Sequence, residues 1–259
     1  MISVLIRNKN QSEALAFLLK NLTERYSEDI GEIIVVDNLS SDNSKEITEH
    51  FNARFVSIEK FSYGGSANVC AREAHYPIVV IFSAHSYPVS HDFFKLIKLR
   101  FENNPNLAGL RCLHSTNDYK NFINKIPAKI DPNKSGLIFS GSAFSKKVWE
   151  KHPFREDVAT FEDKEWSRRV LQKGYDIEFV PAIFNYEIKR NREQNFFRFK
   201  NDVIGNYQLW HKDLRWYNVV FNLISSVFKL IKISLVDFYY IFKRFAFLVA
   251  FIFNKPEKF

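Results

Sequence analysis

Two adjacent carboxylates in "TFEDKEWSRR", Glu162 and Asp163, are the side chains of this sequence best suited to moving a proton. A carboxylate within hydrogen-bond reach of a hydroxyl can take its proton as the hydroxyl attacks an electrophile. The pair heads a helix-like run in which Trp166 and Val170 share a face, a place where acids also offset the helix macrodipole. Three more polar clusters each follow an apolar run: Arg7 after "SVLI", Asp37 to Asp42 after "EIIVV", and Ser83 to Ser86 after "PIVVIF". A carboxylate such as Asp37 can accept from a base N–H, and backbone donors at a helix start favour phosphate. An Asx turn with a helix cap accounts for "DNLSSDNS" without any ligand.

The elements needed to hold these residues alternate. "ISVLIR" reads as a strand and "SEALAFLLKNLTERY" as a helix with Ser12 as its cap. "GEIIVVDN", "ARFVSIE" and "PIVVIFSA" read as further strands, separated by helices in "SSDNSKEITEHF" and "GSANVCAREA". Strand and helix in alternation predict an α/β fold with a mostly parallel sheet, whose ligands lie beyond the strands' carboxyl ends. No GxGxxG follows the first strand and no GxxxxGK[ST] occurs, so the dinucleotide and P-loop phosphate cradles are missing.

The 259 residues, 46% hydrophobic and 25% charged, can build a sizeable ordered core. A net charge of +8 favours anionic partners. Nucleic acid is disfavoured among them, because the basic residues cluster beside apolar helices and no recognised binding module occurs. Cys70 and Cys112 have neither zinc nor disulfide-framework spacing, and "MISVLIRNKN" is too short for a signal-peptide core. Reduced thiols in the cytosol are the expectation.

Four ordered blocks resemble the inverting GT-A glycosyltransferases of family 2, which move sugars from nucleotide-sugar donors. "SVLIRNKNQSEALAFLLKNL" is similar to the family's opening strand and helix, and "EIIVVDNLSSDNSKEI" to its VVDDGSTDGT signature. "YGGSANVCAREA" resembles its glycine-rich turn and Asn-containing helix, and "FEDKEWSRRVLQKGYDIEFVPA" its ED block. The resemblance spans about residues 2 to 210. It implies that Asp37, with Asn38 beside it, accepts from the nucleotide base, that Asp42 lies near ribose or base, and that Arg7 lines the same pocket. It implies further donor contacts from Gly65 and Asn68, and from Gly141 and Ser142 in "LIFSGSAFSKKVWEKHPF", where tight packing is an equal reading. The catalytic base falls to Asp163, with Glu162 orienting the donor or a neighbouring loop.

One block departs from the pattern. Where the family has D-x-D, this chain has Ser83, Ala84 and His85, and the family histidine six residues after the Pro that closes the ED block is Glu187. Those aspartates hold Mg²⁺ or Mn²⁺ against the donor diphosphate, and serine is a poor ligand for a hard cation. Two readings stay open. Either His85 and Glu187 hold a divalent cation, or none is needed and His85 joins the basic side chains of "IKRNREQNFFRFK", Arg190 among them, on the leaving phosphate. A turn hydrogen bond is the bland alternative for His85.

Beyond a catalytic domain at residues 1–212, residues 213–259 become aromatic and apolar, with Lys229, Lys232, Lys243 and Arg244 interspersed. The uncharged runs 216–228 and 245–254 fall short of the roughly 20 residues that span a bilayer. Amphipathic helices in the membrane interface are expected, a helical hairpin packed on protein being the alternative. Together these features imply transfer of a sugar to a glycan or lipid-linked acceptor, in surface polysaccharide, lipopolysaccharide or glycolipid assembly, at the inner face of the cell membrane. A nucleotidyltransferase would need metal-binding carboxylates near the phosphates, which "FSAHSYP" lacks. A non-catalytic sugar-nucleotide or partner-binding member of the fold is the other alternative, opposed by the retained "FEDKEW".

Overall fold

The computed structural model describes residues 1–188 and 190–258. Its first strand, β1 (Ile2–Asn8), shows why the apolar runs are continuous and not alternating: Val4 and Ile6 enter one core cluster and Leu5 the other. A strand covered on both faces has no polar side to present. Then come α1 (Ser12–Arg25), β2 (Ile30–Asp37), α2 (Ser44–His50), β3 (Arg54–Ser57), α3 (Tyr63–Glu73) and β4 (Ile78–Ser83), strands and helices in alternation as the sequence predicts. The chain continues through β5 (Ser86–Pro88), α4 (Phe93–Asn103), β6 (Leu107–Leu113), α5 (Thr116–Ile123), α6 (Pro132–Ser135), β7 (Ser142–Ser145) and α7 (Lys146–Lys151). It ends with α8 (Glu162–Gln172), β8 (Asp176–Tyr186), α9 (Arg192–Trp210) and α10 (Trp216–Phe253).

The strands form one eight-stranded sheet in the order β3-β2-β1-β4-β7-β6-β8-β5. β1 runs parallel to β2 and β4, β2 to β3, and β6 to β8. β7 is antiparallel to both of its neighbours, and β5 to β8, so the α/β sheet is mixed. One core packs Leu15, Leu18, Leu19 and Leu22 of α1 with Phe93 and Phe94 of α4; the opposite one packs Ala67, Cys70 and Ala71 of α3 with Trp149 and Trp166.

Two local expectations change. Gln11, not Ser12, occupies the N-cap of α1, and Ser12 lies in the first turn with its N–H donated to Asp42 Oδ2 at 2.9 Å. A carboxylate from the neighbouring loop thus satisfies a donor the helix leaves open. The C-terminal segment is one uninterrupted helix and not a set of short ones: α10 has 38 residues, or about 57 Å at about 1.5 Å per residue. It is long and apolar enough to cross a membrane, with a mean hydropathy of 1.9 in its richest window and no buried residue. Reading charges as breaks between uncharged runs missed this, since Lys229 and Lys232 interrupt hydropathy without interrupting the helix. Asn218, Asn222, Ser225, Lys229 and Lys232 succeed one another by three or four residues and so form one polar stripe. The chain divides into two compact units, Met1–Trp210 and His211–Phe259.

Asn68 joins α3 to α7 and to the loop after it. Its Oδ1 accepts from Trp149 Nε1 at 2.9 Å and from the Phe154 N–H at 3.0 Å, while Nδ2 donates to Phe154 O and Glu156 Oε1. Replacing it strands several buried partners at once. Asn68→Ala should therefore cost about 2–4 kcal/mol, seen as a fall in Tm on the order of 10 °C in a thermal unfolding scan.

Candidate active site

The chain leaves β1 for β2 on one side and returns to β4 on the other, with Arg7 opposite Ser83. Such a reversal opens a crevice at the carboxyl ends of the two strands. A cavity of about 720 Å³ lies there, within the roughly 300–1,000 Å³ usual for small-molecule sites. Arg7, Ser83, His85, Glu162, Asp163 and Arg190 line it, which brings together six of the residues selected from sequence.

Arg7 ties the site together. Its Nη2 donates to Phe139 O at 2.7 Å, and its Nη1 to Glu162 Oε1 at 3.2 Å and to Tyr63 O at 3.4 Å. Phe161, in the left-handed conformation at φ 66°, turns the chain so that Glu162 and Asp163 become the first two residues of α8. Glu162 is 4% exposed, and burial together with the neighbouring Asp163 charge pushes its carboxyl up to about 7 against the pull of Arg7. Asp163 is held differently: Oδ2 accepts from the Phe139 N–H at 3.1 Å and Oδ1 from the Lys164 N–H at 2.7 Å. Both oxygens keep an acceptor site for a ligand. Beside them, burial and the Arg111 charge push the Lys164 ammonium down to about 8.

The turn "SAHS" is closed by Ser86, whose Oγ accepts from the Ser83 N–H at 3.0 Å and donates to Ser83 O at 2.9 Å. That turn presents His85. Its Nδ1–H donates to Gln11 Oε1 at 2.9 Å, its ring meets Tyr186 edge-on at 4.9 Å, and its Nε2 is buried without a partner among the described residues. Burial, followed by the Arg190 and Arg7 charges, pushes the imidazole down to about 4, so it is neutral at pH 7.

Glu187 comes close to His85 only through its backbone, donating its N–H to His85 O at 2.9 Å. Its side chain is exposed and does not line the cavity, whereas Tyr186, Ile188 and Arg190 at alternate positions do. No group of three or more His, Cys, Asp or Glu side chains suited to a metal ion occurs among the described residues. One imidazole nitrogen beside a serine does not fit Mg²⁺ or Mn²⁺, which favour several oxygen ligands. Lys189 lies outside the described residues.

The remaining selected residues sit around the cavity and not on it. Asp37 is 1% exposed and accepts from Asn8 Nδ2, the Ser40 N–H and Ser40 Oγ at 2.6–2.7 Å, which leaves about one of its four acceptor sites open. Asp42 clamps Ser12 and Ser44, and burial costs less there than those bonds gain, so its carboxyl is lowered. Asn38 gives its carbonyl to Lys9 Nζ, and the Gly65 N–H donates to the Ser62 cap. Gly141 lies where a Cβ would strike the Phe184 ring at 2.6 Å, and Ser142 Oγ accepts from the Ile138 N–H.

Sequence reading missed Lys9, Gln11 and the α9 residues Gln194, Phe197 and Asn201, which line the cavity on one helix face with Arg198 of the basic segment. The i, i+3, i+4, i+7 spacing of that face was visible in "REQNFFRFKND" and is the signal that could have found it.

The model of glycosyl transferase family 2 matches residues 3–161, more than half of the chain. The chain belongs to that family. The match stops one residue short of Glu162. Among solved structures, the chain is similar to a mannosyltransferase from Pyrobaculum calidifontis in complex with GDP-mannose and Mn²⁺ (TM-score 0.64, 17% identity), covering 82% of this chain and 65% of that one. It is also similar to glucosyl-3-phosphoglycerate synthase from Mycobacterium tuberculosis in complex with phosphoglyceric acid (TM-score 0.60, 13% identity), covering 82% and 81%. A second complex of that synthase holds Mn²⁺, UDP and glucosyl-3-phosphoglycerate (TM-score 0.60, 12% identity, 82% and 81%). At such identities these likenesses concern the fold, a GT-A-like α/β sheet. No curated protein sequence matches the chain.

The raised Glu162 carboxyl fixes a pH dependence in this family 2 fold. Its folded value lies above the ordinary 4.5, so the folded protein binds that proton first and its stability falls as pH rises from about 4.5 to about 7. Glu162→Gln keeps the site neutral. The variant should match the parent near pH 5 and be more stable at pH 8, by up to about 3 kcal/mol in urea unfolding.

Proposed function

We propose that this chain is an inverting glycosyltransferase that moves a sugar from a nucleotide-sugar donor to the hydroxyl of a glycan or lipid-linked acceptor. What carries the reading is the pair Glu162 and Asp163 opening α8 on a cavity at the carboxyl ends of β1 and β4, with Arg7 between them and the sheet. Asp163 is the base. It takes the acceptor proton as the acceptor oxygen attacks the anomeric carbon, and the bond from that carbon to the phosphate oxygen breaks with its electron pair leaving on the nucleoside diphosphate. Attack from the face opposite the leaving group inverts the anomeric centre. Its two backbone donors fix the carboxylate in place while leaving each oxygen a free acceptor site.

Glu162 works through Arg7, holding the guanidinium at the end of β1. The open acceptor site of Asp37 is assigned to a base N–H, with Asn38 and Asp42 shaping the loop around it. The donors named for the similar solved structures, GDP-mannose and UDP, support a nucleoside diphosphate sugar. Asp163→Asn should lower transfer by at least about 100-fold while leaving nucleotide affinity unchanged. Near-parental turnover in that variant would remove Asp163 from the base role, and NMR of the product's anomeric proton reads inversion directly.

A catalytic domain over residues 1–212 and a membrane-associated segment over 213–259 complete the proposal. The polar stripe of α10, with Lys243 and Arg244 further along, supports a helix lying in the interface of an anionic membrane, where a lipid-linked acceptor of surface polysaccharide or glycolipid assembly resides. The buried unpaired thiols of Cys70 and Cys112 support the cytoplasmic side. The full-length protein should sediment with phosphatidylglycerol-containing vesicles and much less with neutral ones. Equal binding to both would remove the electrostatic part of this assignment.

A further inference from the structure

Six cations and four acids line the cavity, and Arg111 pairs with Asp118 outside it. Three cations, Lys9, Lys164 and Arg190, have no carboxylate within salt-bridge distance among the described residues, Lys164 being held on Gly136 O at 3.0 Å. Arg7 is paired with Glu162 at 3.2 Å and Arg198 with Asp202 at 3.5 Å. Lys9 and Arg190 have no carboxylate partner among the described residues and hydrogen-bond only neutral oxygens. Lys9 Nζ donates to the carbonyls of Asn38 and Leu39, and Arg190 Nη2 to Tyr186 Oη at 2.8 Å. The same Tyr186 ring packs against His85, so Arg190 is anchored beside the "SAHS" turn, where the family's cation ligands would stand. A guanidinium offers planar, charge-assisted donors that suit phosphate oxygens, and a lysine supplies a compact positive charge.

Resting on the glycosyltransferase reading above, we propose that Arg190 and Lys9, next to Arg7, bind and neutralise the donor diphosphate in place of a divalent cation. Each phosphate of such a donor carries one negative charge, and Arg190 and Lys9 supply one positive charge each. The electrophilic support of the leaving nucleoside diphosphate then comes from fixed side chains. His85 takes no direct part in that charge balance. Gln11 commits its Nδ1–H and leaves a lone pair on Nε2, which would meet a phosphate oxygen acceptor to acceptor. Ser83 contributes no carboxylate, and the exposed Glu187 does not line the cavity.

The test is calorimetric titration of the full-length protein with UDP, GDP and dTDP, once in excess EDTA and once with added Mn²⁺. At least one nucleotide should bind with the same Kd in both, within about twofold, and Arg190→Gln should weaken it by about tenfold or more with Tm unchanged. Binding seen only with Mn²⁺ overturns the inference and leaves the glycosyltransferase reading standing. Metal-independent binding that Arg190→Gln does not weaken overturns the role of Arg190. Failure of all three nucleotides to bind under either condition counts against the inference and the glycosyltransferase reading together.

Discussion

The contact between Arg7 and Glu162 is the constraint on which the site depends. Arg7 ends an apolar strand buried on both faces and cannot move without moving the sheet. Its guanidinium reaches the start of α3 through Tyr63 O, the loop before β7 through Phe139 O, and the start of α8 through Glu162. Four separate stretches of chain are thereby referred to one planar group. Phe139 then passes the register on, its N–H fixing Asp163 while its carbonyl accepts from Arg7. The carboxylate assigned to proton transfer is thus placed by the backbone of a neighbouring loop, and not by its own helix alone.

This placement separates two acids that sequence treats alike. Glu162 is buried against a cation, and desolvation raises it despite the ion pair. Asp163 accepts two backbone N–H bonds and stays open to the cavity. Adjacent positions at a helix start face different surroundings because Phe161 turns the chain abruptly at φ 66°. One acid is left holding Arg7 and the other lining the cavity on two backbone donors.

Much of the fold was legible because periodicity and burial agree. The short, β-branched apolar runs of β1, β2 and β4 read as strands of a sheet covered on both faces, and the helices between them carry their own spacing. The site was legible where strand ends carry chemistry, at Arg7, Ser83 and His85, and at the ED pair. It was not legible at Lys9 and Gln11, whose roles come from lying next to another strand's end. The scaffold bonds of Asn68 were not legible either: a polar residue in a helix can serve ligand or scaffold, and its four hydrogen bonds to Trp149, Phe154 and Glu156 appear only in the folded chain. The helical character of the C-terminal segment was legible but its single unbroken length was not, because charge divides an apolar run without dividing a helix.

The insertion of β7 between β4 and β6 has a kinetic side. Its partner β4 lies some sixty residues earlier, and Arg7 waits for Glu162 across 155 residues. Closing such long loops costs entropy before any contact repays it, so sheets with these pairings fold slowly. A nascent chain on the ribosome can complete the β1–β4 layer early, yet its carboxylates arrive only with α8. A chain cut upstream of Glu162 therefore lacks not only the adjacent acids but also β8 and α9, which supply much of the cavity's wall.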